Sequence, residues 1–455
     1  MMHRRLAGLI GAGAALWLAG CAADSPTAPA TAPDLLRHAT PELVATVRAL
    51  AVGRKIGPLP QRRFVRPSLV ELGQALAFDK ELSGNRDISC MTCHLSKFGT
   101  GDFRSLSIGT GATGLGPTRV HPQGLFIPRN APPAFNLTSM TSLFWDGRVS
   151  TDAQGRFHTP AEGKLSPEMK RVFEFGALSA QPLFPVMARD EMRGFGGNEL
   201  AAIPDAQMQR IWGRLMDRLG RIPEYRRMFE RAYPGTPFRR MTFAHASNAI
   251  AGFLAARFNT NDAPWDRFLA GRDNALTPDQ LEGAKTFLTL KCSICHNGPT
   301  LSDGQFHNVA VAQFGPGKGN GPSGRDDFGR FNVDPQPALK YAFRTTPLRN
   351  VVLTAPYGHD GAFMSLRDFI AHYSQSDLKL QAFDPATLEP LLRGTMVANT
   401  ADILMTRDTI IRGVVLTDSL VDELTNFMTA LTDDPARYAS VVPRRVPSGL
   451  SIDNP

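Results

Sequence analysis

Apolar residues recur at helical spacing just before the first of two cysteine clusters in the chain. In "PSLVELGQALAFDKELS", Leu69, Leu72, Leu76 and Phe78 fall roughly on one face of a helix. This spacing predicts an amphipathic helix that leads into the cysteines.

Two further helices are predicted from their start signals. In "TPDQLEGAKTFLTLKC", which precedes the second cysteine cluster, Thr277 is a good N-cap and Pro278 suits the first helical position. In "MSLRDFIAHYSQ", Ser365 and Asp368 have the spacing of a capping box. One face of this third helix would carry Leu366, Phe369, Ile370 and Tyr373.

Composition is that of a soluble globular protein with long loops. The 455 residues suffice for two or three domains, and 42% are hydrophobic and 20% charged. The 35 prolines and 41 glycines predict extensive loops around the helices. The net charge of +8 is modest and no long Lys/Arg run is present, so nucleic-acid binding is not expected.

The N-terminus has the pattern of a targeting segment. "MMHRRLAGLIGAGAALWLAGC" has a basic start and an apolar run too short to span a bilayer, which indicates a signal peptide over residues 1–20. Small residues before Cys21 resemble a lipobox, which predicts lipidation at Cys21; a plain signal peptide is the alternative. Residues 21–60 would be a tether and N-terminal extension. We expect an exported lipoprotein that faces the periplasm, with the outer membrane favoured.

Four of the five cysteines lie in two copies of Cys-x-x-Cys-His. Cys90 and Cys93 precede His94, and the second copy is Cys292, Cys295 and His296. This spacing indicates covalent c-type haem, with the thiols bound to the porphyrin and the histidine under the iron. A zinc site or a thioredoxin-like dithiol would not explain the histidine in both copies.

Four stretches resemble the bacterial dihaem cytochrome c peroxidases over most of the chain after the signal peptide. They are "LGQALAFDKELSGNRDISCMTCH", "RNAPPAFN", "LFWDGR" and "FRTTPLRNVVLTAPYGHDGAF". The resemblance implies a mainly α fold of two tandem cytochrome c-like domains with long loops, at residues 61–240 and 241–440. Residues 441–455 would be a tail, and "LVDELTNFMTALTD" looks like the closing helix of the family. In this family the first haem reacts with peroxide and the second transfers electrons.

The sequence departs from the ordinary peroxidases after the first haem motif. Those enzymes have a histidine in a "SIGHG"-like stretch that blocks the first iron at rest. This chain reads "LSIGTGATG", with Thr110 in that place, so the first haem should be open. His121, in an inserted loop, could restore the block.

A second departure concerns the far side of the second haem. The ordinary enzymes place a methionine fourteen residues after the histidine of "APYxH", and fourteen residues after His359 the chain has Tyr373. An anionic oxygen ligand favours oxidised iron, whereas methionine raises the haem potential. His372 and Met364 are nearby but lie off the predicted helix face, and Tyr373 could be only a core aromatic. The pairing of histidine and tyrosine at the second haem, with an open first haem, resembles the MauG/MbnH-like branch of the family. Members of this branch oxidise a tryptophan of a partner protein.

The same resemblance implies the other catalytic residues. Trp145 of "LFWDGR" would relay holes between the haems. Glu191 would be the acid–base group, with Gln181 and Pro185 at the family spacing before it. Glu168 of "LSPEMK", which also precedes a methionine, competes for this role but lacks the glutamine and proline at those spacings. An insertion of about thirty residues separates Trp145 from the Glu191 segment relative to the ordinary enzymes.

A calcium ion near the domain boundary is also implied by the resemblance. Its ligands would be the Asn130 side chain and the carbonyls of Thr354 and Pro356, which are hard oxygen donors. His359 would support a haem propionate. The glycine-rich "FGPGKGNGPSGRDDFGR" lacks a phosphate-loop pattern and is expected to be a surface loop.

Together these features predict a dihaem oxidase. It would react with hydrogen peroxide at the open haem, store the oxidising equivalents over both haems and oxidise a periplasmic partner protein at Trp or Tyr. The alternative is a cytochrome c peroxidase that detoxifies hydrogen peroxide with electrons from a small cytochrome or cupredoxin. A third possibility is a dihaem cytochrome that only transfers electrons.

Overall fold

The structure, a computed structural model, describes residues 39–61, 63–439 and 441–453. The predicted signal peptide and Cys21 lie outside this part of the chain. Within it, no helix has the length and apolar character needed to cross a membrane. The mainly helical fold class is confirmed, with long loops between the helices.

Many of the helices begin at a proline or are capped by Ser, Thr or Asp. Their bounds are α1 (Pro41–Gly53), α2 (Pro67–Phe78), α3 (Cys90–Cys93), α4 (Pro167–Arg171), α5 (Ala177–Ala180), α6 (Met208–Gly220), α7 (Pro223–Ala232), α8 (Phe243–Arg257), α9 (Pro264–Leu269), α10 (Pro278–Thr289), α11 (Cys292–Cys295), α12 (Leu366–His372), α13 (Ser376–Gln381), α14 (Thr400–Met405), α15 (Asp418–Ala430) and α16 (Ala436–Ala439).

The strands are short and antiparallel. A three-stranded sheet has the order β1 (Ser142–Leu143), β2 (Val149–Thr151) and β3 (Phe157–His158), with Leu143 paired to Val149. Strands β4 (Phe306–His307) and β5 (Phe343–Arg344) form a second ladder. The region after Trp145, where the sequence has its insertion, therefore begins with strands β2 and β3 of this sheet, followed by α4.

The three predicted helices are present. They are α2, α10 and α12, and the predicted apolar face of α2 is buried. Thr277 Oγ1 accepts from the Gln280 backbone N–H at 3.2 Å, and Gln280 Oε1 accepts from the Thr277 N–H at 3.1 Å. Ser365 Oγ caps α12 by accepting from the Asp368 N–H at 3.3 Å. Local start signals therefore fixed the first residues of α10 and α12.

The core around the first cysteine motif is built on the crossing of α2 and α8. At this crossing a Cβ added to Gly73 would lie 1.8 Å from the Ala249 carbonyl oxygen, so only glycine permits the approach. Buried residues of α8 belong to this core. Helix α8 follows the boundary expected after residue 240, and it packs on the core of the first half.

The core around the second motif repeats this arrangement. Helix α10 crosses α15, the predicted closing helix, and a Cβ on Gly283 would lie 2.1 Å from the Glu423 carbonyl oxygen. Helix α1 adds Val44, Val47 and Ala51 to the same core. The N-terminal extension thus contains a helix that the sequence analysis did not predict.

The C-terminal tail packs on the first motif. Asp453 accepts a hydrogen bond from Thr92, which lies between the two cysteines, and forms an ion pair with Lys80 at 2.7 Å. Ser448 Oγ donates to Asp79 at 2.6 Å. Residues distant in sequence therefore hold the helix that carries the first cysteines.

Candidate haem sites and the residues between them

The two Cys-x-x-Cys-His units adopt the same local structure. Each cysteine pair spans one short helix, α3 or α11, and all four thiols are free. Nδ1 of His94 donates to the Thr100 carbonyl at 2.9 Å, and Nδ1 of His296 donates to the Leu301 carbonyl at 3.0 Å. Burial lowers the pKa of both imidazoles. Each ring is therefore neutral, and its Nε2 carries the free lone pair that a metal needs.

A cavity of about 170 Å³ adjoins the first unit. Cys90, Cys93 and His94 line it, and so do the predicted residues Gln181, Pro185 and Glu191. Glu191 lies in a π-helical turn, Arg189–Arg193, an irregularity that often occurs at functional sites. The structure thus brings together the three residues assigned to peroxide cleavage.

The carboxyl of Glu191 is suited to proton transfer near neutral pH. Burial, helped by the neighbouring charge of Asp190, raises its pKa to about 7, against the opposing charges of Arg148, Lys318 and Arg129. Its competitor Glu168 lies on α4 with a side chain that is 69% exposed, paired with Arg171. Glu168 does not line the first cavity.

Thr110 and His121 do not line the first cavity. The Thr110 hydroxyl donates to Asp87 at 2.7 Å and accepts from Asn85 at 3.0 Å. His121 packs against Gly111, where an added Cβ would lie 2.9 Å from its Nε2. Among the described residues that line this cavity, His94 is the only histidine, and no tyrosine is present.

A larger cavity, of about 430 Å³, adjoins the second unit and is mostly apolar. Tyr373 lines it, as do the other residues on the predicted face of α12. Burial raises the pKa of the Tyr373 phenol, and Cys295 and Cys292 add to this effect. A phenolate at this position therefore requires a cation beside it.

Among the tyrosines that line this cavity, Tyr373 is distinguished by its hydroxyl. The Tyr341 hydroxyl donates to Asp326 at 2.7 Å, and the Tyr357 hydroxyl donates to the Val351 carbonyl at 3.0 Å. The Tyr373 hydroxyl has no hydrogen-bond partner within the described part of the chain. Buried tyrosines usually find a partner, so this oxygen is available to a bound group.

The nearby histidines are committed to other contacts. His372 Nε2 donates to the Val309 carbonyl at 2.9 Å and is absent from the cavity wall, as is the exposed Met364. His307 lines the cavity, but its ring nitrogens contact Asp408 at 2.5 Å and Asp303 at 3.0 Å. Of the residues weighed from the sequence as ligands on this side, only Tyr373 faces the cavity.

Trp145 lines both cavities. Its indole Nε1 donates to the Asn130 carbonyl at 2.9 Å, and its own carbonyl accepts from the Arg344 N–H at 2.8 Å. The next residue, Asp146, pairs with the buried Arg129 at 2.7 Å. These contacts fix the tryptophan between the two sites.

The donor set fits two covalent haems. Free thiols and a neutral histidine face each cavity, and the second also has an unpartnered tyrosine oxygen. Arg344 lines both cavities, and its buried Nη1 has no partner in the described structure. The Arg344 Nε donates to the Phe144 carbonyl at 3.1 Å, but a buried Nη1 without an acceptor is costly, and a haem propionate would relieve this cost. The cysteines would hold the porphyrins, and His94, His296 and Tyr373 would be iron ligands.

Comparisons with known proteins agree with this chemistry. The family model for the di-haem cytochrome c peroxidases matches residues 67–274. Cytochrome c551 peroxidase of Pseudomonas aeruginosa is 31% identical over 316 residues, which cover 68% of this chain and 73% of that protein. The chain belongs to the di-haem cytochrome c peroxidase family.

Two further proteins similar to this di-haem peroxidase carry the name MauG or are described as MauG-like. The methylamine utilization protein MauG of Methylorubrum extorquens is 28% identical over 317 residues, covering 70% of this chain and 71% of MauG. A crystal structure of a MauG-like protein associated with microbial copper homeostasis matches the fold with a TM-score of 0.57 and 24% identity. That match covers 86% of this chain and 95% of the other.

Family membership establishes the general activity. This di-haem peroxidase is an oxidoreductase with two c-type haems, which reacts with hydrogen peroxide and exchanges electrons with a protein partner or donor.

Two residues at the sites were missed from the sequence. Lys318 lines the first cavity although its glycine-rich stretch was expected to be only a surface loop. Arg344 lines both cavities and was not singled out. Neither the loop residue Lys318 nor Arg344 of β5 has a local sequence signal, so only the long-range fold reveals either one.

Proposed function

We propose that this enzyme belongs to the MauG/MbnH-like branch and oxidises a Trp or Tyr residue of a partner protein. The observation that carries the proposal is that Tyr373 lines the second cavity with a free hydroxyl. An anionic oxygen ligand stabilises oxidised iron, so the second haem would be suited to holding an oxidising equivalent.

The bound haems would supply the peroxide and electron-transfer chemistry, and the chain would supply the proton transfer. Glu191 takes a proton from one peroxide oxygen and returns it to the other, which then leaves as water. A pKa near 7 lets the same carboxyl accept and donate at neutral pH. With Thr110 tied to Asp87, the first cavity would be open to peroxide without prior reduction.

Trp145 would connect the two sites. Its ring lies in the wall of both cavities, and the hydrogen bond to Asn130 holds its orientation. Among the described residues, no other aromatic side chain lines both cavities. Oxidising equivalents from peroxide could therefore pass between the two haems through Trp145.

The proposal is tested by the recovery of stored equivalents. One equivalent of peroxide is added to the oxidised protein without a donor, and ferrocyanide is added after a delay. We expect nearly two oxidising equivalents to be recovered from the wild type and far fewer from Tyr373→Met. Equal recovery from both proteins would contradict the proposed role of Tyr373.

The alternative activity is peroxide detoxification with a small cytochrome or cupredoxin as donor. It is favoured by the relative at 31% identity, which is named a cytochrome c551 peroxidase. Fast turnover with a reduced small cytochrome, together with rapid loss of the stored equivalents, would support this activity instead.

We also propose a calcium ion held by Asn130, Thr354 and Pro356, all in the wall of the second cavity. The Asn130 amide nitrogen donates to the Arg104 carbonyl at 2.9 Å, which leaves its side-chain oxygen available. Both carboxylate oxygens of Asp360 are buried without hydrogen-bond partners, and a nearby cation would stabilise this buried negative charge. Chelation should lower the thermal midpoint, and added calcium should restore it.

Export with a lipid anchor at Cys21 is part of the same proposal. Mass spectrometry of the membrane-extracted protein should find a diacylglyceryl group on Cys21. A mature chain that starts elsewhere would exclude the anchor. Separately, we propose two tandem cytochrome c-like domains, supported by the matching crossings of α2 with α8 and of α10 with α15.

A further inference from the structure

A glycine-rich loop (residues 315–326) from the second half of the sequence reaches the first cavity. Lys318 in this loop lies in the wall of that cavity, together with Glu191. The sequence of this loop has no phosphate-binding pattern, and the proposed function gives the loop no role.

The loop is built to hold one conformation. Five of its glycines have positive φ, and at Gly317 an added Cβ would lie 1.9 Å from the Arg325 carbonyl oxygen. The Lys318 N–H donates to the Asp326 carbonyl at 3.0 Å. Asp326 accepts in turn from the Tyr341 hydroxyl at 2.7 Å. The backbone of Lys318 is therefore tied to a buried side chain of the second half.

Lys318 differs from Arg129 and Arg148, the other cations that act on Glu191, because it has no acidic partner in the described structure. Arg148 pairs with Asp146 at 3.1 Å, and Arg129 pairs with Asp146 at 2.7 Å and with Asp327 at 2.5 Å, so two carboxylates neutralise much of the charge of the two arginines. Lys318 makes no side-chain hydrogen bond or ion pair with any residue that the structure describes. Asp190, beside Glu191 in the chain, is the opposing negative charge.

We propose that Lys318 is a positioning residue that electrostatically favours the carboxylate form of Glu191, the form that accepts the first proton from peroxide. The inference rests on the proposed role of Glu191 and adds a group that raises the fraction of Glu191 in the carboxylate form. A positive charge near a carboxyl stabilises its ionised form. Lys318 is exposed to solvent, so water partly screens its charge and the expected shift is small. The charged groups that act on Glu191 are then Asp190, Arg148, Lys318 and Arg129, and Arg344 also lies in the wall of this cavity.

The test is the pH dependence of the second-order rate constant for peroxide with the holoenzyme. We expect Lys318→Met to move the acid limb to higher pH by about 0.5 unit, Lys318→Glu to move it further, and Lys318→Arg to leave it in place. Lys170→Met is the matched control, because Lys170 is exposed on α4 and lines neither cavity. Visible spectra and unfolding curves check that each variant is folded and carries both haems.

Failure of this inference is distinguishable from failure of the proposed function. If Glu191→Gln removes the acid limb but Lys318→Met and Lys318→Glu leave it at the wild-type pH, Lys318 has no such role. If Glu191→Gln itself leaves the rate and its pH profile unchanged, the assignment of Glu191 is wrong, and the role of Lys318 falls with it. A shift equal to that of Lys170→Met would also overturn the inference, because it would reflect net charge alone.

Discussion

The two Cys-x-x-Cys-His units are alike on the histidine side and different on the other. Both histidines donate Nδ1 to a backbone carbonyl at 2.9–3.0 Å, and both units follow a helix with a glycine at its crossing. The first cavity is lined by the carboxyl of Glu191, whereas the second is lined by the unpartnered hydroxyl of Tyr373. The attachment of the cofactor is therefore repeated, and the chemistry is set by single residues supplied from elsewhere in the chain.

The largest effect is expected at the carboxyl that distinguishes the first cavity. Glu191→Gln keeps the shape but cannot accept a proton, so the rate constant for peroxide should fall by about 10²–10⁴-fold in stopped-flow measurements. Glu168→Gln, the same change at an exposed site, should react like the wild type. Equal losses in both variants would mean that Glu191 has no special role.

The pH dependence sharpens the same contrast. In the proposed mechanism the carboxylate of Glu191 is the reactive form, and burial raises its pKa to about 7. Lowering the pH protonates it, so the rate should fall by about tenfold per pH unit well below the pKa. A rate that does not change between pH 5 and pH 8, in buffers where the protein stays folded, would be inconsistent with this assignment.

The second cavity is tested through the potential of its haem. Tyr373→Phe removes the oxygen donor and should raise the reduction potential by on the order of 100 mV in spectroelectrochemical titration. Tyr357→Phe is a matched change, since Tyr357 lines the same cavity but donates to the Val351 carbonyl. The potential of that variant should stay near the wild-type value. A potential unaffected by Tyr373→Phe would show that Tyr373 is only a core aromatic.

Replacing Trp145, which lines both cavities, should slow electron exchange between the haems without changing the peroxide reaction. Trp145→Phe removes an indole that lines both cavities and its hydrogen bond to Asn130, which should cost about 1 kcal/mol of folding free energy. Peroxide should still react at a rate close to the wild type, while electron exchange between the haems slows. Trp265→Phe, in the second core and away from both cavities, serves as the control. Unchanged exchange in Trp145→Phe would remove the relay.

The smallest effect concerns the tail that holds only the first unit. Asp453→Asn weakens its contacts with Thr92 and Lys80 and should lower the free energy of unfolding by about 1–3 kcal/mol. Asp273→Asn, which breaks a more exposed pair with Arg48, should cost less than about 1 kcal/mol. Denaturant unfolding measures both variants, and equal losses would show that the tail does not stabilise the unit.

Local signals predicted what is built locally. The helix face that carries Tyr373 followed from a cap and a spacing, and the cysteine motifs fixed both histidines. The position of Glu191 followed from the family resemblance, and the cavity agrees with it. These features depend on a few neighbouring residues, which is why they can be read without the fold.

What could not be predicted depends on contacts between distant segments. Helix α1 completes the second core from more than two hundred residues away, and α8 lies on the first core despite following the expected boundary. Lys318 reaches the first cavity from the other half of the chain. None of these pairings leaves a periodic or spaced pattern in the sequence.

The central claim is that the first site is open to peroxide at rest while the second is closed by Tyr373. It is tested most directly by adding one equivalent of peroxide to the fully oxidised protein, without prior reduction, and following absorbance and EPR. The account predicts an immediate loss of ferric signals that persists without a donor. No change until one haem is reduced would show that a hidden ligand closes the first site, and would contradict the account.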